Sequence, residues 1–247
     1  MCAGLAARAK PVSHNPRRMA KTLVLVRHGQ ASFGAADYDV LSETGRHQAR
    51  AAGEALRGRA DPVRRVVAGA MRRQRDTASA CLEAMGLDAP VVEDAAWNEF
   101  DHEEVLRIFE PRWADHAELH RDLAATGRPD AFERAFLAAV ARWTGGAHDA
   151  DYRETWPGFL ARVDAALSRL AGGPEGTVLV FTSGGPISAA CRAHLAARDA
   201  SSVFANAFRL ANASVTTLET GADGLRLRSF NDHAHLTRIG GGLVTFR

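Results

Sequence analysis

The chain of 247 residues is 46% hydrophobic and carries 31 basic against 29 acidic side chains, a net charge of +2. That is enough apolar material for one sizeable core, and α/β domains of this length are often undivided. The charge balance holds no polybasic run suited to nucleic acid, no apolar run is long enough to cross a membrane, and three unpatterned cysteines (Cys2, Cys81, Cys191) point to a reduced, cytoplasmic compartment.

Residues 1–20 hold Arg8, Lys10, Arg17 and Arg18 with Pro11 and Pro16, and lack the apolar stretch of a signal peptide. They are expected to be a disordered extension, with Met19 an alternative start, ahead of a single domain over 21–247. Leu23-Val24-Leu25-Val26 reads as a buried strand. Ser42 is placed to cap a helix carrying Ala49, Ala52 and Leu56 at spacings of three and four. Val63–Ala68 reads as the next strand, Met71–Met85 as a helix, and Pro90–Glu93 as a short strand. This alternation is that of βαβ units and a parallel sheet.

From about residue 102 to 170 the pattern is helical throughout. Phe132, Phe136, Val140 and Trp143 form one stripe, and Phe159, Val163, Leu167 and Leu170 another. Such stripes usually mean core packing. With no strand between them, the segment reads as a helical insertion over the catalytic end of the sheet. The sheet resumes at Thr177–Phe181, ahead of a helix at Pro186. Ala213–Leu218 and Leu225–Phe230 read as two strands joined by Gly221-Ala222-Asp223-Gly224.

The first strand runs directly into Arg27-His28-Gly29-Gln30. In open α/β sheets, ligands bind beyond the carboxyl ends of strands. There a guanidinium can hold a phosphate through two parallel hydrogen bonds, and a glycine lets backbone N–H groups approach the anion. A neutral imidazole can attack phosphorus and form a phosphoramidate. An isolated Arg-His-Gly would more often be a polar strand end on a surface loop.

The later motifs change that weighting. Leu41-Ser42-Glu43-Thr44-Gly45-Arg46-His47-Gln48-Ala49 follows, then Met71-Arg72-Arg73-Gln74-Arg75-Asp76-Thr77-Ala78, Trp97-Asn98-Glu99-Phe100-Asp101, and Val178 through Ile187. In this order the set resembles the histidine phosphatase superfamily, also called phosphoglycerate mutase-like, over roughly residues 21 to 235. The resemblance implies a three-layer α/β/α sandwich with a largely parallel sheet and a helical cap that selects the substrate, a region holding Trp113, Trp143, Tyr152 and Trp156. It implies His28 as the phosphorylated nucleophile, Glu99 as general acid and then base, and Arg27 with Arg73 as the phosphate clamp. Gly29, Gln30, Ser183 and Gly184 are the expected substrate contacts.

Two departures from the family pattern matter. Where the family has Ser-His-Gly-Gly, this chain has Thr182-Ser183-Gly184-Gly185, so Ser183 replaces a second phosphate-binding histidine. Where cofactor-dependent mutases carry a tryptophan and an asparagine, it reads Phe33-Gly34. The first leaves a less cationic phosphate pocket, and the second favours a phosphoric monoester hydrolase of histidine acid type, with a mutase-type transferase and a phospho-ligand binding protein that lost turnover along with the second histidine as alternatives. The expected partner is a small phosphorylated metabolite, with a homodimer left open beside it. The resemblance involves no metal or other cofactor, and neither His233-Ala234-His235 nor Asp101-His102-Glu103 is strong metal-ligand spacing.

Overall fold

Lys21–Arg27 forms β1, buried along its whole length. A strand covered on both faces needs a continuous apolar run, and Leu23 to Val26 supply it. Gly176–Thr182 forms β4, equally buried, and pairs with β1 in parallel from Lys21↔Gly176 to Arg27↔Thr182. The structure is a computed structural model describing residues 21–32, 39–58, 62–197, 199–221, 224–240 and 242–246. The expected N-terminal extension, Phe33-Gly34 and the Ala222-Asp223 turn lie outside the described residues.

Around β1 and β4 stand β2 (Val63–Ala68), β3 (Val91–Glu93), β5 (Val215–Gly221) and β6 (Gly224–Asp232), in the order β3-β2-β4-β1-β5-β6. The strands from β3 to β1 run parallel, while β5 and β6 add an antiparallel margin. Helices α1 (Glu43–Leu56) and α2 (Arg72–Met85) cover one face, closing Ala52, Leu56, Ala78, Cys81 and Leu82 over Val24, Val26, Val66 and Leu179. Ser42 caps α1 as expected, its hydroxyl accepting the Gly45 N–H at 3.0 Å.

The helical stretch folds as α3 (His102–Phe109), α4 (His116–Ala125), α5 (Ala131–Thr144) and α6 (Trp156–Ala171). The last of these is a layer of the sandwich and not part of a cap. Its stripe Phe159, Val163, Ala166 and Leu170 meets Leu23, Leu25, Val178 and Val180 on the second face of the sheet, beside α7 (Gly184–Cys191). Only α3 to α5 form the superstructure, packing Val105, Phe136, Val140 and Trp143 around Phe100. Helices α8 (Ala200–Arg209) and α9 (Ala234–Ile239) complete the chain.

The aromatic residues expected near the substrate are mostly structural. Trp143, Tyr152 and Trp156 are buried, and Trp143 stacks on Phe100 with centroids 4.8 Å apart. Phe132 departs from its stripe in the other direction. The stripe residues Phe136, Val140 and Trp143 are buried, but Phe132 itself is 39% exposed.

Candidate active site

The crevice follows from the connections of two neighbouring strands. After β1 the chain passes to α1 on one face, and after β4 to α7 on the other, so the polypeptide parts at the carboxyl ends of β1 and β4. This is the topological switch point at which open α/β sheets bind ligands. Arg27 and His28 stand on one side of the parting, Thr182 and Ser183 on the other.

The backbone of His28 is fixed from three directions. Its N–H donates to the Thr182 carbonyl at 2.8 Å. Its carbonyl accepts from Ala213 N–H at 3.2 Å and from Asn212 Nδ2 at 3.4 Å. Ala213 reaches that position with φ +54°, a left-handed conformation costly for a residue with a Cβ, and strain of this kind clusters at functional sites.

The imidazole is oriented just as firmly. Nδ1 lies 2.8 Å from the Gly29 carbonyl, which can only accept, so Nδ1 carries the proton. Nε2 therefore presents a lone pair, which accepts from Arg73 Nε at 3.3 Å. Burial, Arg73 and Arg27 hold the His28 pKa well below the ordinary histidine value, against a smaller opposing effect of the Gly29 bond. The side chain is neutral at pH 7, with its nucleophilic nitrogen turned to a guanidinium.

Arg73 rises from the first turn of α2, its side chain 5% exposed, with Nη1 2.7 Å from Asp39 Oδ1. Asp39 also accepts from the Arg72 N–H at 2.7 Å and the Arg73 N–H at 3.4 Å, satisfying amides that a helix start leaves without intrahelical partners. Arg27, also buried, donates through Nη1 to the Leu210 carbonyl.

Glu99 lies across the crevice at the start of α7. One carboxylate oxygen accepts the Gly185 N–H at 3.0 Å and the other the Phe100 N–H at 3.3 Å. A Cβ at position 185 would fall 2.0 Å from Glu99 Oε1, so only glycine lets the carboxyl group come this close. Burial raises the Glu99 pKa, outweighing the lowering by the Gly185 bond, Arg73, the Phe100 bond and Arg27. The raised pKa favours the acid form, the state a proton donor needs.

Ser183 begins α7 and is fully buried. Its Oγ accepts from Gln74 Nε2 at 2.8 Å. The same amide nitrogen donates to the Trp97 carbonyl at 3.1 Å, and Gln74 Oε1 accepts the Met71 N–H at 3.3 Å. The Gln74 oxygen would lie 1.9 Å from a Cβ at Gly69, which accounts for glycine at that position. Gln74 uses the serine oxygen as an acceptor, which ties the start of α7 to α2.

His28, Arg27, Arg73 and Glu99 thus come together, with Ser183 joined to them through α7 and Gln74. Gly29 and Gln30 do something other than cradle an anion. The Gly29 N–H donates to Thr77 Oγ1 at 3.0 Å and the Gln30 N–H to Gln48 Oε1 at 2.8 Å. Gly29 is required because a Cβ there would meet the Gly45 carbonyl at 2.3 Å. Gly184 likewise packs closely, a Cβ falling 3.1 Å from the Ala207 carbonyl.

Sequence reasoning missed Asp39, Gln74 and Asn212 as members of the site, and read His102 only as a weak metal-ligand candidate. The structure brings His102, the first residue of α3, into the field of Arg73, which together with burial lowers its pKa. Among the described residues no cluster of three or more histidine, cysteine or acidic side chains could hold a metal ion.

The sequence pattern of the histidine phosphatase superfamily, branch 1, matches residues 23–233. The chain belongs to this superfamily. A phosphoglycerate mutase from Bacillus anthracis shares its fold, with a TM-score of 0.60 at 18% identity over 87% of this chain and 95% of that one. A mycobacterial glucosyl-3-phosphoglycerate phosphatase aligns over 86% of this chain and 99% of its own, at 26% identity and a TM-score of 0.58. A 2,3-bisphosphoglycerate-dependent phosphoglycerate mutase of Mesorhizobium japonicum is 37% identical over 92 residues, 34% of this chain, and the match spans 44% of that enzyme. The superfamily members it resembles are therefore phosphatases and mutases. Among the described residues no helix is long and apolar enough to cross a membrane.

Proposed function

We propose that this histidine phosphatase superfamily member is a metal-independent phosphomonoester hydrolase acting through a phosphohistidine. The observation that carries the reading is the state of His28: a proton locked on Nδ1 by the Gly29 carbonyl, and a neutral Nε2 facing Arg73 at 3.3 Å.

In the first step His28 Nε2 bonds to phosphorus as the ester P–O bond breaks, and Glu99 gives its proton to the departing alkoxide. An alkoxide leaves poorly without that proton. Arg27, Arg73 and the Ser183 hydroxyl hold the equatorial oxygens over which the transition state spreads its charge. In the second step the Glu99 carboxylate takes a proton from water as the water oxygen attacks phosphorus. The P–N bond breaks, releasing inorganic phosphate and restoring the neutral imidazole and the Glu99 acid.

The mutase similarity supports a second reading, phosphoryl transfer to another organic phosphate. The two readings share the phosphoenzyme and differ in what accepts its phosphoryl group. Incubation with a labelled alkyl phosphate should give an acid-labile phosphoenzyme that decays to inorganic phosphate in water alone. His28→Ala should abolish both signals while the protein stays folded. Label that persists in water and moves only to an added phosphoglycerate would establish the transferase. Full activity in His28→Ala would exclude both, and tight phosphate binding with no turnover in the parent would leave a binding protein.

A further inference from the structure

On the hydrolase reading, His28 attacks through Nε2 only while its proton sits on Nδ1, and the Gly29 carbonyl holds that proton at 2.8 Å. Whatever aims this carbonyl therefore acts on the nucleophile. The Gly29 C=O and the Gln30 N–H belong to one peptide group, which is planar and trans, so they point in opposite directions. Fixing one fixes the other. The Gln30 N–H donates to Gln48 Oε1 at 2.8 Å, and Gln48, on α1, is fully buried.

Gln48 is held in turn by residues 242–246. Its oxygen faces the Gln30 N–H, so its amide nitrogen faces the other way, and Nε2 donates to the Leu243 carbonyl at 2.7 Å and to Thr245 Oγ1 at 2.9 Å. The Thr245 hydroxyl donates to Oδ1 of the fully buried Asn212 at 2.8 Å. The direction of that bond is settled at its far end: Asn212 Nδ2 donates to the His28 carbonyl, which can only accept, so Asn212 presents its oxygen to the threonine. The Thr245 carbonyl adds a second tie, accepting the Asn212 N–H at 2.8 Å. Hydrogen bonds of one polarity thus run from the Gln30 N–H through Gln48, Thr245 and Asn212 to the His28 carbonyl, closing a ring around the two peptide groups that flank Gly29. In such a chain each bond polarises the next.

We propose that Thr245, acting with Gln48, is a positioning residue for the nucleophile: it closes the hydrogen-bonded ring that aims the Gly29 carbonyl at His28 Nδ1, and so keeps the lone pair on Nε2. Without the Thr245 hydroxyl, Asn212 Oδ1 loses that donor in a buried place, a costly state that turns the amide away from the His28 carbonyl. Gln48 loses one of its two acceptors, and both peptide groups gain freedom. The His28 proton can then move to Nε2, and that tautomer has no lone pair to offer phosphorus.

The test compares Thr245→Val, which keeps the shape and removes the hydroxyl, with Thr245→Ser, which keeps the hydroxyl. In Thr245→Val, kcat/KM for n-propyl phosphate should fall about three- to tenfold, the effect of one neutral hydrogen bond, while the competitive Ki of inorganic phosphate changes less than about twofold. The loss should be the same for p-nitrophenyl phosphate, because both esters need the nucleophile and only the alkyl ester needs the Glu99 proton. Thr245→Ser should return kcat/KM to within about twofold of the parent. Nitrogen NMR of histidine-labelled protein at about pH 8, above the ordinary histidine range, reads the tautomer itself, the His28 signals being those absent from His28→Ala. The parent should show Nδ1 protonated and Nε2 bare, and Thr245→Val and Gln48→Met should each show a measurable Nε2–H population.

Parent activity in Thr245→Val overturns the proposal, and so does a lowered activity with the parent tautomer, which leaves the segment a purely structural tie. A loss confined to the alkyl ester overturns it by assigning the effect to Glu99. A serine variant as slow as the valine variant does so too, because the hydroxyl then does not carry the effect. Should neither ester give His28-dependent phosphate release, the hydrolase reading fails on its own. The tautomer still decides the positioning role: a shift in Thr245→Val upholds it, and an unchanged tautomer overturns it.

Discussion

Asp39 offers a sharp test of the electrostatics, because its carboxylate holds the guanidinium that the phosphoryl group needs. Arg73 is bound through Nη1 to Asp39 at 2.7 Å and through Nε to His28 at 3.3 Å. An incoming phosphate must draw this arginine toward itself, against an anion already in place. Asp39→Asn keeps an oxygen for the Arg72 N–H but removes the charge from the competitor. Hydrogen bonds with a charged partner are worth about 1.5–3 kcal/mol and neutral ones about 0.5–1.5, and a difference near 1 kcal/mol is about fivefold in affinity. Inorganic phosphate should therefore inhibit Asp39→Asn about five- to tenfold more strongly than the parent, measured as a competitive Ki. Loss of the carboxylate from the start of α2 costs about 0.3–1 kcal/mol of stability, a fall of a few degrees in Tm. A weaker phosphate Ki in Asp39→Asn would refute the competition and leave Asp39 as a residue that only positions Arg73.

Four further outcomes follow from the same geometry. Glu99→Gln should slow alkyl phosphates about a hundredfold or more and p-nitrophenyl phosphate far less, because nitrophenolate needs no proton; equal slowing would remove Glu99 as the acid. In the parent, alkyl phosphate kcat/KM should fall as pH rises through the raised Glu99 pKa, whereas the lowered His28 pKa keeps the nucleophile neutral below the ordinary histidine range; an alkaline limb that persists in Glu99→Gln would contradict the assignment. Ser183→Ala should cost about three- to tenfold in kcat/KM, the value of one neutral hydrogen bond; a thousandfold loss would mean that the hydroxyl carries an essential role. Finally, His28, His102 and His235 all have lowered pKa values in the folded state, so stability is complete above the unfolded histidine value of about 6.5 and is lost as pH falls toward the folded values. The Tm should drop between pH 7 and pH 5, and by less in His28→Ala; an unchanged Tm would contradict the buried neutral state.

The parts of the site that were legible in the sequence are those whose signals are local. Strand β1 announces itself because a doubly buried strand needs four apolar residues in a row, and the His28 motif follows it without interruption. Ser42 signals α1 because capping acts over three residues. By contrast, Asn212 grips His28 from 184 residues away, and nothing in Ala211-Asn212-Ala213 announces it. Asp39 looked like any loop acid, since its partners Arg72 and Arg73 lie more than thirty residues on. The glycines were legible as motif members, but their cause was misplaced. Gly29 admits the Gly45 carbonyl and Gly185 admits the Glu99 carboxyl, so both serve the packing of protein on protein, while the expected cradle of N–H groups around an anion is already occupied. The helical run was right in kind, but periodicity cannot say which stripe meets a sheet and which meets other helices, so α6 was counted with the superstructure.

Glu99 and the start of α7 show how the change at Ser183 bears on catalysis. An imidazolium at that position would add positive charge to the phosphate pocket, and it would also press the nearby carboxyl group toward its ionised form. With serine there, the positive potential around Glu99 comes from Arg73, Arg27 and two backbone N–H groups, and burial still prevails, leaving the pKa raised. On the proposed hydrolase reading, the chain would give up phosphate affinity on one side of the crevice while keeping a proton donor on the other. Such a trade suits a substrate whose binding is shared between its phosphoryl group and an organic body. An enzyme that held its substrate by phosphate alone could least do without the second cation.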